Sequence, residues 1–235
     1  MDSMAPSLLG LYLHGSLALD DFVAGKSDID LCAMVCELRD DQRQRLIEAV
    51  SPDTISIEGG EFDIHGVTVE ATRTTSLPPV RELWVANHPG WEFHVEGRAA
   101  DHDMSLAFEM CRRHGRALRG PHVLEVFAPV NRTAMLTAAQ REIEEWLSYE
   151  PINQWDSAVL SACRAWLLAE EDELGSKTAA GRWASSKGFS VVESAISHRA
   201  GTRVETPDQS AVREPLLHVH ALLERELTDR VTTEP

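Results

Sequence analysis

The strongest constraint in the sequence is a pair of aspartates two residues apart, Asp28 and Asp30, which opens an apolar run that continues through Cys32–Val35. This run predicts a β-strand over about residues 28–36. Strand side chains alternate between the two faces of a sheet, so both carboxylates project from one face while Ile29 points into the core. Neighbouring carboxylates repel each other and lose hydration when buried, unless a cation lies between them. The pair therefore predicts a metal site.

A Gly-Ser turn precedes this strand. Residues 9–14 predict a first strand, Gly15 and Ser16 form the turn, and a short helix is expected over about 16–24. A glycine lets the backbone approach an anion closely, and a serine hydroxyl and a helix N-terminus can then hold phosphate. Taken alone, Gly15-Ser16 favours an ordinary turn over a phosphate site.

A third acid lies on the next predicted strand, about residues 62–72, which is rich in β-branched residues. In that strand Thr68, Glu70 and Thr72 share one face, and a buried carboxylate there needs a partner such as a metal. Asp63 competes with Glu70 but lies at the start of the strand, where we expect exposure to solvent. Three acids and a phosphate turn match the needs of a two-metal phosphoryl transfer, for which Mg²⁺ is suited.

The remainder of the chain predicts an α+β protein. Residues 78–97 are rich in proline, glycine and aromatic side chains and predict loops, after which the strand pattern stops. Strands followed by helices predict two domains, residues 1–98 with a mixed β-sheet and flanking helices, and residues 99–235 as an all-helical bundle. The predicted helices of the second domain cover about 101–117, 133–148, 155–171, 176–187, 190–199 and 211–229.

Composition narrows the class of partner. The formal net charge is −16, from 22 basic and 38 acidic residues, which disfavours non-specific binding to nucleic acid or to an anionic membrane. It suits a cationic substrate, or it serves only to keep the protein soluble. The four cysteines lack the spacing of a zinc motif, so we expect buried free thiols in a reducing compartment. With no predicted signal peptide and no long apolar run, we expect a cytoplasmic monomer.

The arrangement Gly-Ser, eleven residues, Asp-x-Asp, with a third acid on a later strand, resembles the polymerase-β-type nucleotidyltransferases. Within them it is most similar to bacterial aminoglycoside adenylyltransferases of the streptomycin 3″ / spectinomycin 9 type. That resemblance implies a nucleotidyltransferase domain followed by a helical domain. It implies transfer of AMP from ATP, with Mg²⁺, to a hydroxyl of a small cationic antibiotic.

The resemblance also implies roles for individual residues. Asp28 and Asp30 would bind the metal, and Glu70 would complete the metal site and act as general base. The residues implied to hold the nucleotide are Gly15, Ser16, Ser27, Arg164 and Lys177. Arg164 and Lys177 fall on the family's helical phosphate-contacting positions; without the resemblance, Ser176 would be a helix N-cap and Lys177 an exposed first-turn residue.

Acidic and aromatic side chains are what a polycationic antibiotic requires, through charge-assisted hydrogen bonds and ring contacts. The candidate substrate residues are Trp91, Glu92, Asp103, Trp155 and Asp156. For each, a structural role in the core or at a helix end is the alternative. Two alternative functions also remain: a nucleotidyltransferase that acts on another small molecule or on a protein hydroxyl, as in toxin–antitoxin systems, and a non-catalytic nucleotide-binding module.

Overall fold

The computed structural model describes residues 8–55, 61–73, 78–88 and 92–233. The chain divides into two units, Met1–Val130 and Asn131–Pro235.

The first unit is built on a mixed β-sheet, as the sequence predicts. Its strands in the described residues are β1 Leu8–Leu13, β2 Asp28–Val35, β3 Glu61–Thr68, β4 Val80–Asn87, β5 His94–Glu96, β6 Ala99–Ala100 and β7 Arg116–Arg119. Five strands follow the order β5-β4-β3-β2-β1, β7 lies beside β1, and β6 pairs with β4. β2 and β3 are parallel, and the other pairs are antiparallel.

Apolar side chains cover both faces of this sheet. The helices of the unit are α1 Gly15–Ala18, α2 Asp40–Val50, α3 Asp103–His114 and α4 Val123–Val126. One core cluster joins Tyr12, Cys32 and Met34 to Phe108 and Phe127, on the side of α3 and α4. The opposite cluster contains Val35, Leu46, Phe62, Leu83 and Val85, on the side of α2. The alternation along β2 thus serves two cores at once.

The prediction of loops over residues 78–97 is wrong, because β4 is an inner strand of the sheet. Its charged residues conceal the strand pattern, since Arg81 and Glu82 are both buried. Arg81 is neutralised by ion pairs with Glu96 and, at 2.7 Å, with Asp101. Buried charges are tolerated when they are paired in this way.

The structure also places the division between units later than the predicted boundary at 98/99. Helix α3 packs into the core of the first unit, and β7 extends its sheet by pairing with β1. Phe127 packs edge-on against Tyr12, with ring centroids 5.2 Å apart. The predicted helix over 101–117 is present as the shorter α3, and it belongs to the unit that contains the sheet.

The second unit is helical throughout its regular elements, as predicted. Its α-helices are α5 Arg132–Ser148, α6 Trp155–Glu171, α7 Lys177–Ala184, α8 Ser190–Arg199 and α9 Gln209–Thr233, with a 3₁₀ turn at Ser185–Lys187. Helix α6 is mostly buried and packs against α5, α7, α8 and α9. None of the helices in the described ranges is both long and apolar enough to span a bilayer.

Each of the four cysteines is a free thiol. Cys32, Cys111 and Cys163 are buried as predicted, whereas Cys36 is exposed because it follows the last residue of β2.

The division at residue 130 predicts which unit loses stability when Phe127 is truncated. Phe127→Ala should cost about 3–5 kcal/mol, because it removes a buried ring that contacts Tyr12 and Phe108. Hydrogen exchange should then speed up in β1, β2 and α3 while α6 keeps its protection. Leu124→Ala, on an exposed side chain of the same short helix, is the control. Loss of protection in α6 alone would contradict this division.

Candidate active site

The Gly15-Ser16 turn lies directly beside Asp30. The backbone N–H of His14 donates to the carbonyl of Asp30 at 3.0 Å, which continues the β1–β2 pairing into the turn. Gly15 has φ +65°, in the left-handed region that favours glycine, and a Cβ at this position would overlap the Asp30 carboxylate. The hydroxyl of Ser16 is buried and has no hydrogen-bond partner among the described residues. A buried hydroxyl without a partner is available to a phosphate oxygen.

The parallel register of β2 and β3 decides which acid joins the aspartate pair. Asp28 lies opposite Glu61, and Asp30 lies opposite Asp63. Asp28, Asp63 and the nearby His88 each offer one ligand atom, and these atoms lie within 4.8 Å of one another. The structure therefore gathers Asp28, Asp30 and Asp63 at the same end of the sheet.

The prediction that Glu70 completes the metal site is wrong. β3 ends at Thr68, which lies opposite Val35 at the far end of β2 from the aspartates. Glu70 follows in a turn that is closed by a hydrogen bond from the Arg73 N–H to the Glu70 carbonyl, and its side chain is exposed. The turn ends the strand four residues earlier than predicted, which takes Glu70 away from both strand starts.

Hydrogen bonds hold Asp63 in its charged form. The indole N–H of Trp84, on β4, donates to its carboxylate, and the Nε2 atom of His88 lies 3.7 Å from its other oxygen. Burial disfavours the charged carboxylate, but the contact with His88, the charge of His65 and the hydrogen bond from Trp84 outweigh burial and lower the pKa of Asp63. The ion pair with Asp63, with a hydrogen bond to Glu61 at 3.2 Å, raises the pKa of His88 to about 9 despite its partial burial.

The donors at this end of the sheet fit Mg²⁺. Carboxylate oxygens are the ligands that Mg²⁺ prefers, and phosphate oxygens normally complete its coordination. Asp28, Asp30 and Asp63 supply the carboxylates, and the orphaned Ser16 hydroxyl marks a place for phosphate beside Asp30.

The other predicted residues of the first unit are spread around this site. Ser27 is buried, and its hydroxyl accepts a hydrogen bond from the Val23 N–H at 3.1 Å, which closes the turn before β2. Glu92 and Asp103 are exposed, and Asp103 begins α3. Trp91 lies outside the described residues.

In the second unit, the carboxylate of Glu142 interacts with both residues that were predicted to bind phosphate, Arg164 and Lys177. Arg164 on α6 lies 3.5 Å from Glu142 on α5. Lys177, at the start of α7, also acts electrostatically on Glu142. Burial opposes the charge of Glu142, but the charges of Arg164 and Lys177 hold its pKa below the usual value. Ser176 caps α7 as predicted, accepting from the Ala179 N–H at 3.1 Å.

Trp155 and Asp156 occupy structural positions in the second unit. Trp155 is buried, and its ring lies 5.0 Å from that of His198. Asp156 is also buried and lies 2.8 Å from His198 Nδ1. Both residues therefore connect α6 to α8. This is the structural role that the sequence analysis named as the alternative to substrate binding.

Residues 125–218 match the profile of the aminoglycoside adenylyltransferase C-terminal domain. This part of the chain is therefore similar to the C-terminal domain of aminoglycoside adenylyltransferases. A solved structure, spectinomycin adenyltransferase AAD(9) from Enterococcus faecialis with ATP and spectinomycin, has the same fold. The TM-score is 0.78 at 16% identity, over 94% of this chain and 93% of that chain. No curated protein matches the sequence significantly.

The sequence contains the signal that identifies Asp63, but only through the strand connection. Two strands joined by a helical crossover, here α2, are parallel, so their starts lie at one edge of the sheet. Asp63 near the start of β3 must then approach Asp28 and Asp30. His88 carries no such signal, since it follows a strand that the sequence analysis missed.

The raised pKa of His88 predicts a pH-dependent contribution to stability in metal-free protein. A group whose pKa rises on folding stabilises the fold fully below its unfolded pKa and loses this effect as the pH rises through the folded value. His88→Gln should therefore lower the free energy of unfolding by roughly 2 kcal/mol near pH 7 and by much less near pH 10. Chemical unfolding in chelator at both pH values measures this. An equal loss at both would contradict the ion pairing with Asp63.

Proposed function

We propose that this protein is an adenylyltransferase that moves AMP from ATP to a hydroxyl of an aminocyclitol or aminoglycoside antibiotic, releases pyrophosphate and so confers resistance. The observation that carries the proposal is the placement of three carboxylates, Asp28, Asp30 and Asp63, beside a buried and unpartnered Ser16 hydroxyl. Spectinomycin is the first acceptor to test, because the similar structure AAD(9) contains it, and streptomycin is the second.

In this proposal Asp28, Asp30 and Asp63 hold Mg²⁺. The bound ion would neutralise charge that develops on the phosphates and polarise the attacking hydroxyl. Ser16 donates its hydroxyl to a phosphate oxygen of ATP, and Gly15 leaves the room that this approach requires. Ser27 contributes indirectly, by closing the turn that leads into the aspartate strand.

We assign the role of general base to Asp63 instead of Glu70. Its low pKa keeps the carboxylate ionised at neutral pH, and Trp84 orients it through a single hydrogen bond. The proton of the acceptor hydroxyl would pass to this carboxylate as the oxygen attacks the α-phosphorus of ATP. A base of low pKa suffices when a metal also acidifies the hydroxyl.

Arg164 and Lys177 supply positive charge for the phosphates of ATP in this proposal. Both already act on the anionic Glu142, so the helical unit gathers them without a nucleotide. Arg164 can form paired hydrogen bonds to phosphate oxygens, whereas Lys177 acts as a point charge.

The substrate should be a cation. The net charge of −16 favours the approach of a polyamine-like antibiotic, and Glu92 and Asp103 are exposed acids of the first unit that could bind its ammonium groups. The dependence on ATP supports a cytoplasmic site of action. We also propose that the protein acts as a monomer.

To identify the acceptor, the protein is incubated with ATP, Mg²⁺ and one antibiotic at a time, and the masses of the products are measured by mass spectrometry. Spectinomycin or streptomycin should gain the mass of one AMP, and cells that express the protein should resist that antibiotic. If no antibiotic gains AMP while the protein still forms pyrophosphate with another small molecule or with a protein hydroxyl, the acceptor is wrong but the chemistry stands.

Substitutions of Asp63 and Glu70, which lie towards opposite ends of β3, form a matched pair that tests the proposed mechanism. Asp63→Asn should lower kcat at least about 100-fold, because it removes both a metal ligand and the proton acceptor. Glu70→Gln should leave kcat within about twofold, since Glu70 lies in an exposed turn at the other end of β3. Steady-state rates with the acceptor found above measure both. The reverse ranking would restore Glu70 as the base.

A further inference from the structure

A second cluster of ligand-type side chains lies beneath the carboxylates. His14 follows the last residue of β1, Cys32 lies two residues after Asp30 on β2, and Cys111 projects from α3. One ligand atom from each of the three residues lies within 4.8 Å of the other two. All three residues are buried, with 7% of His14 and none of either cysteine exposed.

The donor types differ from those of the acid site. Sulfur and imidazole nitrogen are ligands for zinc and other soft or borderline cations, whereas Mg²⁺ prefers oxygen. Zinc bonds of about 2.3 Å to sulfur and about 2.0–2.1 Å to nitrogen place neighbouring ligands somewhat closer than 4.8 Å. Small movements of the three side chains towards one another would therefore place three ligands around a single zinc ion.

Orphaned nitrogen atoms beside the sulfurs point independently to a missing ligand. The Nε2 atom of His14 is buried without a hydrogen-bond partner among the described residues. His65 lies opposite Cys32 in the β2–β3 register; its Nδ1 atom is also buried without a hydrogen bond in the described ranges, and it lies 4.0 Å from the Asp63 carboxylate. Each unsatisfied buried polar group costs about 1–3 kcal/mol, which an ion bound here would reduce.

We propose that His14, Cys32 and Cys111 form a buried site for one zinc-like cation, separate from the magnesium site. Such an ion would join the end of β1, the middle of β2 and helix α3. His14 precedes the Gly15-Ser16 turn and Cys32 follows Asp30, so the ion would stabilise the first unit directly beneath the acids. The fourth position would be filled by water or by His65.

The test uses Co²⁺ as a spectroscopic probe in the full-length, reduced protein, with Mg²⁺ in excess to occupy the carboxylates. Because the cluster is buried, Co²⁺ is added both to the folded protein and during refolding from denaturant. We expect one equivalent of Co²⁺ to produce sulfur-to-cobalt charge-transfer absorption, which Zn²⁺ abolishes by displacement. We also expect the bound ion to raise the Tm.

Variants locate the bound ion. Cys32→Ser and Cys111→Ser should each lose the charge-transfer absorption, and Cys163→Ser, which removes a buried thiol of the second unit, should retain it. Asp63→Asn should also retain it, so this result does not depend on the proposed transfer reaction. His14→Gln should weaken Co²⁺ binding while keeping some sulfur absorption, which provides a second probe if a cysteine variant fails to fold.

The wild-type protein alone can overturn the proposal. Absence of sulfur-to-cobalt absorption after both additions would show that the cluster consists of ordinary buried thiols. Rapid formation of a Cys32–Cys111 disulfide under a mild thiol oxidant, with no metal binding by the reduced protein, would also overturn it. Absorption that persists in Cys32→Ser would place the ion elsewhere.

Discussion

The parallel pairing of β2 with β3 is the constraint on which the acid site depends. It places Asp30 opposite Asp63 and Asp28 opposite Glu61, so four carboxylates crowd one end of two neighbouring strands. Such crowding is unfavourable, because like charges raise one another's pKa and repel. His88 and Trp84 reduce this cost by donating hydrogen bonds from β4. The sheet therefore tolerates the charge that the proposed chemistry requires.

Local patterns predicted the elements whose signal lies within a few residues. The period-two spacing of Asp28 and Asp30 indicated a strand, which the structure confirms as β2, and α6 and α8 have the bounds that helical periodicity predicted. β4 was missed because Arg81 and Glu82 make it look polar, although distant partners neutralise their charges. Asp63 was passed over for Glu70 because the choice depends on which strand pairs with which. Such pairing is a long-range property that a scan of neighbouring residues does not reveal.

The boundary between the units illustrates the same limit. The amphipathic pattern of α3 is that of a helix in either kind of domain, and four exposed residues of β7 give no apolar signal. What assigns them to the sheet is contact: β7 with β1, and Phe127 with Tyr12. In the helical unit, Arg164 and Lys177 were found only through resemblance to a family. The structure supplies the physical reason for their proximity, the shared Glu142 carboxylate.

The backbone of Gly15 has a consequence for how this chain can change during evolution. Its missing side chain is not only a matter of torsion angle, because the space that a Cβ would fill belongs to the Asp30 carboxylate. A side chain at residue 15 would thus displace an acid of the proposed magnesium site as well as the turn itself. The two positions therefore constrain each other, although they belong to different elements of the fold.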